Sequence, residues 1–227
     1  MRESSNIKVI GCSGYARCGK DTFVNIAKDI LVKNNYTPLR VAFADKLKVE
    51  VGEMLADCGF ATPSNAEDEE QKRRIRPLYV WWGCQRRYES EGQLYWVNAV
   101  DDQLKAIVAD MTHNGMSDER IVAMVADVRF VNEAMWIHNQ WGGKVIHLKR
   151  YKLAFDKVLK DRKEYDPAPN EEEAKNDPLV QDIADFHIEW ESRRKYTPGA
   201  AVTDLYLRSI VLKTLNDMGI FTETLSL

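Results

Sequence analysis

The chain has 227 residues, 44% hydrophobic and 30% charged, the balance of a globular protein with room for one large α/β domain. A formal net charge of −3 gives no overall pull toward a nucleic-acid backbone or an anionic membrane, so an anionic ligand must be met by a local basic cluster. Cys12, Cys18, Cys58 and Cys84 form no CxxC pair and have no histidines at zinc spacing, which argues against a zinc module or a disulfide framework and for free thiols.

The opening MRESSNIKVIG lacks the apolar stretch of a signal peptide, and no later segment reads as a membrane span, so the expectation is a cytoplasmic protein. Ile7 to Ile10 is a short apolar run ending in small residues and glycines, read as a buried parallel strand feeding a tight loop. Phe23, Ile26, Ala27, Ile30 and Leu31 recur at helical spacing, so a helix starts near Lys20. Leu39 to Ala44, LRVAFA, predicts a second strand, which completes a βαβ unit with a phosphate-sized turn inside it. Leu47, Val51, Met54 and Leu55 share a helical face between Asp45 and Gly59, and the acidic stretch from Ala61 to Gln71 predicts an exposed loop. Trp96, Val100, Leu104, Ile107, Val108 and Met111 mark another helix, turned at Asn114-Gly115.

Ile121 to Ala126, IVAMVA, is the clearest buried strand after the first and leads into a short helix through Ala134 and Ile137. Gly142-Gly143 turns the chain into the strand KVIHLKR. Asp161 to Pro178 is dominated by charge, Asn and Pro, a composition short of apolar surface, and reads as a mobile loop or lid. Ala200 to Thr203 reads as a last strand, and Asp204 to Asp217 as a closing helix stopped by Gly219. Strands each followed by a helix imply a parallel sheet covered on both faces.

The strongest local signal is Gly14-Tyr15-Ala16-Arg17-Cys18-Gly19-Lys20-Asp21-Thr22, which fills the first seven places of GxxxxGK[ST] between a strand and a helix. Glycines let the backbone curl so that successive N–H groups face phosphate oxygens, and the helix start adds unpaired donors and a positive dipole end. Lys20 brings a mobile charge for the β- and γ-phosphates. Asp21 stands where the motif has its hydroxyl, and Thr22 follows one place later. Either Asp21 takes Mg²⁺ or its water shell, or Asp21 caps the helix while Thr22 turns inward. Gly14, Arg17, Gly19, Lys20, Asp21 and Thr22 are thus the expected nucleotide-binding set, with Asp21 and Thr22 as candidate metal ligands.

Asp127 follows IVAMVA at what a parallel sheet would make a ligand-binding strand end, where a carboxylate can hold Mg²⁺ directly or through water. Arg129 alternates with it and can reach a phosphate. Lys72, Arg73, Arg74, Arg76, Arg86 and Arg87 cluster beside Trp81, Trp82, Tyr88, Tyr95 and Trp96. Guanidinium forks bind phosphate and aromatic faces stack on a base, so the segment suits a phosphorylated, ring-bearing acceptor. Arg76 and Arg87 are the preferred phosphate ligands and Trp82 the stacking candidate. A solvated basic face backed by core aromatics accounts for the remainder.

Four blocks in order resemble the bacteriophage-type deoxynucleoside monophosphate kinases. They are GYARCGKDT, FADKLK (Phe43 to Lys48), RPLYVWWGCQRR with YWV behind it, and DVRFVNEA followed by GGKVIHLKR. Further on, HIEWES at His187 to Ser192 resembles a family segment near the lid. The resemblance implies an adenylate-kinase-like P-loop fold, a three-layer α/β/α core of about residues 1–46, 104–150 and 200–227. An acceptor-binding helical insertion would span about 47–103 and a lid region about 151–199. It implies transfer of the ATP γ-phosphate to a dNMP with Mg²⁺, no nucleic-acid or membrane partner, and a host-cytoplasm setting. Lys48, Arg76, Arg87, Asp127, Arg129 and Glu133 would serve the acceptor and the transfer, with Arg150 as a lid-side clamp and Lys20, Asp127, Arg129 and Arg150 as the catalytic group. Val80 and Cys84 stand where the family pattern has glutamine and threonine. A phosphomevalonate-type kinase and a non-catalytic P-loop nucleotide-binding protein are the alternatives, and the many Trp and Tyr residues leave a homodimer interface open.

Overall fold

Six strands form one sheet in the computed structural model, which describes residues 6–60, 69–154, 162–192 and 200–221. Its axis is β1 (Lys8–Ser13), buried beyond Lys8 because parallel neighbours cover both edges, β3 (Ile121–Val128) and β4 (Lys144–Ala154). β2 (Thr37–Val41) lies outside β3, and β6 (Phe186–Glu191) runs parallel to β4 on its far edge. Burial on both faces is why Ile121 to Ala126 is apolar at every position instead of alternating.

Helix α1 (Lys20–Lys33) follows β1 toward the β3 side, while α5 (Val131–Trp141) carries the chain from β3 across β1 to β4. Right-handed crossovers in opposite directions place these two helices on opposite faces of the sheet. α7 (Ala200–Asp217) packs on α1, and α6 (Glu171–Ile183) on α5. The result is a three-layer α/β/α fold of the P-loop class with a parallel-dominated sheet. In it β1 is the strand at which the chain changes winding direction, the place where such sheets bind ligands.

β4 outruns β1. Ile146 pairs with Cys12 on one edge and Phe186 on the other, whereas Tyr151 pairs with Glu191 on the β6 edge and with Tyr165 of β5 (Arg162–Tyr165) opposite. β5 therefore sits, antiparallel, on the same edge of β4 as β1, just past the point where β1 stops. Leu148 to Arg150 lie between the two.

The chain divides into two compact units, Met1–Arg40 with Gly115–Leu227, and Val41–Asn114. In the second unit the described elements are helical: α2 (Phe43–Asp57), α3 (Glu69–Glu89) and α4 (Tyr95–His113). Trp96, Val97, Val100, Leu104 and Val108 form the buried stripe of α4; of the expected positions Ile107 and Met111 are only half-buried, and Val97 is an addition. No helix among the described residues is long and apolar enough to cross a membrane.

Several elements differ from expectation. The second strand stops at Val41, and Phe43 opens α2 after an extended Ala42, so the last two residues of LRVAFA are helical. Ala200 starts a helix, not a strand, in keeping with alanine's helix propensity and the continuous helical segment behind it. Between Asp161 and Pro178 the described residues, from Arg162 on, form β5 and most of α6. Asn170 caps α6, accepting from the Glu173 N–H at 2.8 Å, and three glutamates in the first turn suit the positive helix end. The expected loop at Ala61 to Gln71 falls outside the described residues up to 68; from Glu69 the chain is helical.

Candidate functional site

Beyond the buried Ser13 the chain turns into the glycine loop. Gly14 has φ +121°, and a Cβ there would lie 2.2 Å from the Leu148 carbonyl oxygen; Gly19 has φ +106°, and its Cβ would lie 2.4 Å from Cζ2 of Trp190. Both positions therefore need glycine for backbone angle and for space. Trp190, buried in β6, donates its indole N–H to the Cys18 carbonyl at 2.7 Å, and the Cys18 N–H closes a turn on the Tyr15 carbonyl at 3.1 Å. The first bond of α1 runs from the Phe23 N–H to the Gly19 carbonyl at 2.9 Å, with no side-chain cap. The amides of Lys20, Asp21 and Thr22 precede that bond and form the donor-rich positive end of the helix. Lys20 Nζ curls back to donate to the carbonyls of Gly14 (2.5 Å) and Tyr15 (2.9 Å), so its ammonium spans the loop.

Asp127 enters through a bulge. Gly11 pairs with Val125 but Ser13 with Val128, so Ala126 and Asp127 together face Cys12. An extra residue in one strand re-aims a side chain. The Cys12 thiol registers what surrounds it: burial pushes its pKa up to about 12, Lys20 opposes this, and Cys18, Asp21 and Asp127 add to it. Lys20, Asp21 and Asp127 thus act on one point at the end of β1. The Cys18 thiol, raised by burial, is held back by Lys20 and by Arg150, which brings Arg150 within electrostatic range of the loop. Arg150 Nη2 donates to Asp166 at 2.9 Å, Lys152 holds the other oxygen at 3.1 Å, and this pair of donors pulls Asp166 below its ordinary value.

Arg129 follows β3, its side chain 44% exposed, and its Nη1 donates to Glu173 of α6 at 2.8 Å. The other Glu173 oxygen accepts from the Ala16 N–H of the loop at 2.9 Å. Glu133 is 1% exposed and accepts from the N–H groups of Arg129 (2.7 Å) and Phe130 (3.1 Å), so its carboxylate shapes the start of α5 from inside. Arg17 is exposed in a left-handed conformation, and Asp21 and Thr22 are both exposed.

Within the helical unit, Lys48 is exposed and sits 3.6 Å from Asp45, Arg76 is exposed, and Arg87 is only 5% exposed. Trp82 donates its indole N–H to Glu50 at 2.9 Å, and Tyr95 donates its hydroxyl to the other Glu50 oxygen at 2.5 Å. The Arg86 guanidinium lies over both rings, 4.7 Å from Trp82 and 4.9 Å from Tyr95, with Nε 3.4 Å from Glu50. Burial pushes the Glu50 carboxyl up, but the Tyr95 and Trp82 hydrogen bonds and the Arg86 charge outweigh it and leave it below its ordinary value. One face of Trp82 is covered by Arg86. A cavity of about 680 Å³ nearby is lined by Asp45, Lys46, Ser90, Tyr95, Asn98 and Asp102, among others.

Glu173, Trp190, Asp166, Glu50 and Arg86 thus join the residues singled out from the motif. Nothing local marks Glu173 or Asp166, whereas Trp190 lies within HIEWES, Arg86 within the basic and aromatic block, and Glu50 two residues past FADKLK. No cluster of three or more His, Cys, Asp or Glu side chains suited to a metal occurs among the described residues. Oxygen ligands on Asp21, Thr22 and Asp127 suit Mg²⁺, which is commonly held by one or two carboxylates together with substrate phosphates.

The sequence matches no protein-family model and no curated protein. Among solved structures the chain is similar to the crystal structure of APE1195, at 13% identity and a TM-score of 0.35 over 93% of this chain and 98% of that one. It is also similar to shikimate kinase from Aquifex aeolicus vf5, at 16% identity and a TM-score of 0.34 over 93% and 99%. These likenesses are slight, and the assignment of the fold rests on the strand order and the glycine loop of this chain.

Proposed function

We propose that the chain is an ATP-dependent phosphotransferase whose acceptor is a deoxynucleoside monophosphate. The observation that carries the reading is the glycine loop at the end of the central strand, with the helix-start amides of Lys20, Asp21 and Thr22, the Lys20 ammonium across it, and Asp127 re-aimed by a bulge in the adjoining strand. That is a receptor for a polyphosphate, and Mg²⁺ bound with ATP would add positive charge shared between the phosphates. Asp127, with Asp21 or Thr22, would hold it.

In the proposed reaction a phosphate oxygen of the acceptor attacks the γ-phosphorus as the bond to the β,γ-bridging oxygen breaks, giving dNDP and ADP. Catalysis of this kind is positioning and charge stabilisation. Lys20 would leave the loop carbonyls for the phosphate oxygens, and Arg129 and Arg150 would meet charge on the moving group. For the acceptor, the helical unit offers Arg86 in preference to Arg87. Arg86 lies over the Trp82 and Tyr95 rings with its side chain 41% exposed, whereas Arg87 is buried. Lys48 and Arg76, exposed on the same unit, remain candidates for the acceptor phosphate. Support for a nucleotide acceptor comes from the four sequence blocks and from this arginine–aromatic cluster.

The test is ADP release with ATP, Mg²⁺ and each dNMP in turn, with Lys20→Ala as control. Turnover with at least one dNMP, reduced at least about a hundredfold in the variant, is expected for loss of a transition-state charge contact. Silence with every dNMP from folded protein that still binds ATP rejects the acceptor assignment, and phosphomevalonate is then the acceptor to try.

A further inference from the structure

Glu173 has no part in the proposed transfer so far, yet its surroundings are unusual for a glutamate. It is 7% exposed, and its oxygens accept from the Ala16 N–H at 2.9 Å, from Arg129 Nη1 at 2.8 Å and from Asn170 Nδ2 at 3.3 Å. A carboxylate withdrawn this far from water persists only where charge and donors compensate it. Those donors come from the phosphate loop, from the turn after β3 and from the start of α6. One carboxylate therefore ties together two segments that the proposed reaction needs.

We infer that Glu173 is a positioning residue that sets Arg129 beside the phosphate loop, an inference that rests on the phosphotransferase reading. A half-exposed arginine on a turn would otherwise divide its time among many rotamers, and ordering such a side chain carries an entropic cost. Glu173 occupies a single Nη, and the remaining guanidinium donors stay available for a phosphoryl oxygen in the fork geometry that suits phosphate. Its other oxygen takes the amide of Ala16 and not those of Lys20, Asp21 or Thr22, so the clasp leaves the positive end of α1 open. α6 is itself fixed one turn further on, where Asp177 meets Nε2 of the buried His147 of β4 at 3.0 Å. The clasp thus stands on the sheet.

The experiment compares wild type, Glu173→Gln, Glu173→Ala, Arg129→Ala and the double variant R129A/E173A by steady-state kinetics with ATP and the accepted dNMP. Urea unfolding and hydrogen exchange of the loop peptide are followed alongside. Glutamine keeps the shape of the side chain but offers only one acceptor oxygen, so it can serve Ala16 or Arg129 and not both. Glu173→Gln should lower kcat about tenfold or more while KM for ATP changes less than about threefold, and it should raise exchange at Ala16. Because the two residues act as a unit, R129A/E173A should be no slower than R129A. Wild-type kcat in Glu173→Gln, or losses that multiply in the double variant, overturn the inference. If the wild type transfers phosphate to no dNMP, the acceptor reading has failed. In that case unchanged exchange at Ala16 in Glu173→Gln would overturn the clasp separately, and faster exchange would uphold it.

Discussion

The Trp190 indole approaches Gly19 so closely that a methyl group there meets Cζ2 at 2.4 Å, on a backbone already at φ +106°. Gly19→Ala must therefore move the tryptophan, the loop or both. We expect it to weaken nucleotide binding at least about tenfold, measured by titration with a fluorescent ATP analogue, and to cost about 1–3 kcal/mol of stability for the strained backbone. Trp190→Phe probes the same contact from the other side. It keeps a ring of similar character but removes the N–H that serves the Cys18 carbonyl, leaving a buried acceptor unsatisfied. Urea unfolding should show a loss of about 1–3 kcal/mol, and an unchanged midpoint would mean that water has replaced the donor. Gly19 and Lys20 were legible as residues because the motif is local. Trp190 was not, since what makes it matter is a partner far away in sequence.

Among the elements, α6 shows where reading by composition fails. A stretch of Asn, Glu, Asp and Pro looks unable to pack, yet Glu173 and Asp177 are buried on one helical face because Arg129 and His147 answer them. A pattern search counts them as polar; only the fold supplies their partners. The helix depends on its cap, so Asn170→Ala should lower stability by about 1 kcal/mol in urea titration and should also loosen the Glu173 clasp. The central strands and α1, α4 and α5 were readable because their apolar periodicity is itself the reason they are buried. The bulge that aims Asp127 left no such trace: Ala126 and Asp127 look like any strand end until β1 is laid beside them. β5 and β6 were missed for a related cause. Arg162–Tyr165 is exposed at every position and gives no pattern, whereas FHIEWE at Phe186–Glu191 alternates apolar with polar residues throughout and buries Ile188 and Trp190; what it lacks is the continuous apolar run that marks β1 and β3.

For the whole molecule, the β4–β6 margin of the sheet is held by carboxylates that sit below their ordinary values. Asp166 is lowered by Arg150 and then Lys152, and Glu189 is lowered first by its bond from Lys163, with Tyr165 adding to it. A carboxylate depressed in the folded state lends stability above its unfolded value and loses it as pH falls through the folded one. The ordinary values are 3.8 for Asp and 4.5 for Glu, so the urea midpoint should hold through neutral pH and fall once the pH drops below them. Asp166→Asn should flatten part of that fall. A midpoint that stays level across the acid range would show that these pairs contribute nothing.

The loop bond from Trp190 to Cys18 spans 172 positions, and the one from Glu173 to Ala16 spans 157. During synthesis the glycine loop leaves the ribosome before the strand and helix that brace it and must wait for them. At about 5–20 residues per second that delay is on the order of ten seconds. On the proposed reading, a nascent chain therefore gains no steadying from a bound nucleotide until Glu173 and Trp190 have emerged, and a chain cut short before them would lack the braces of its glycine loop.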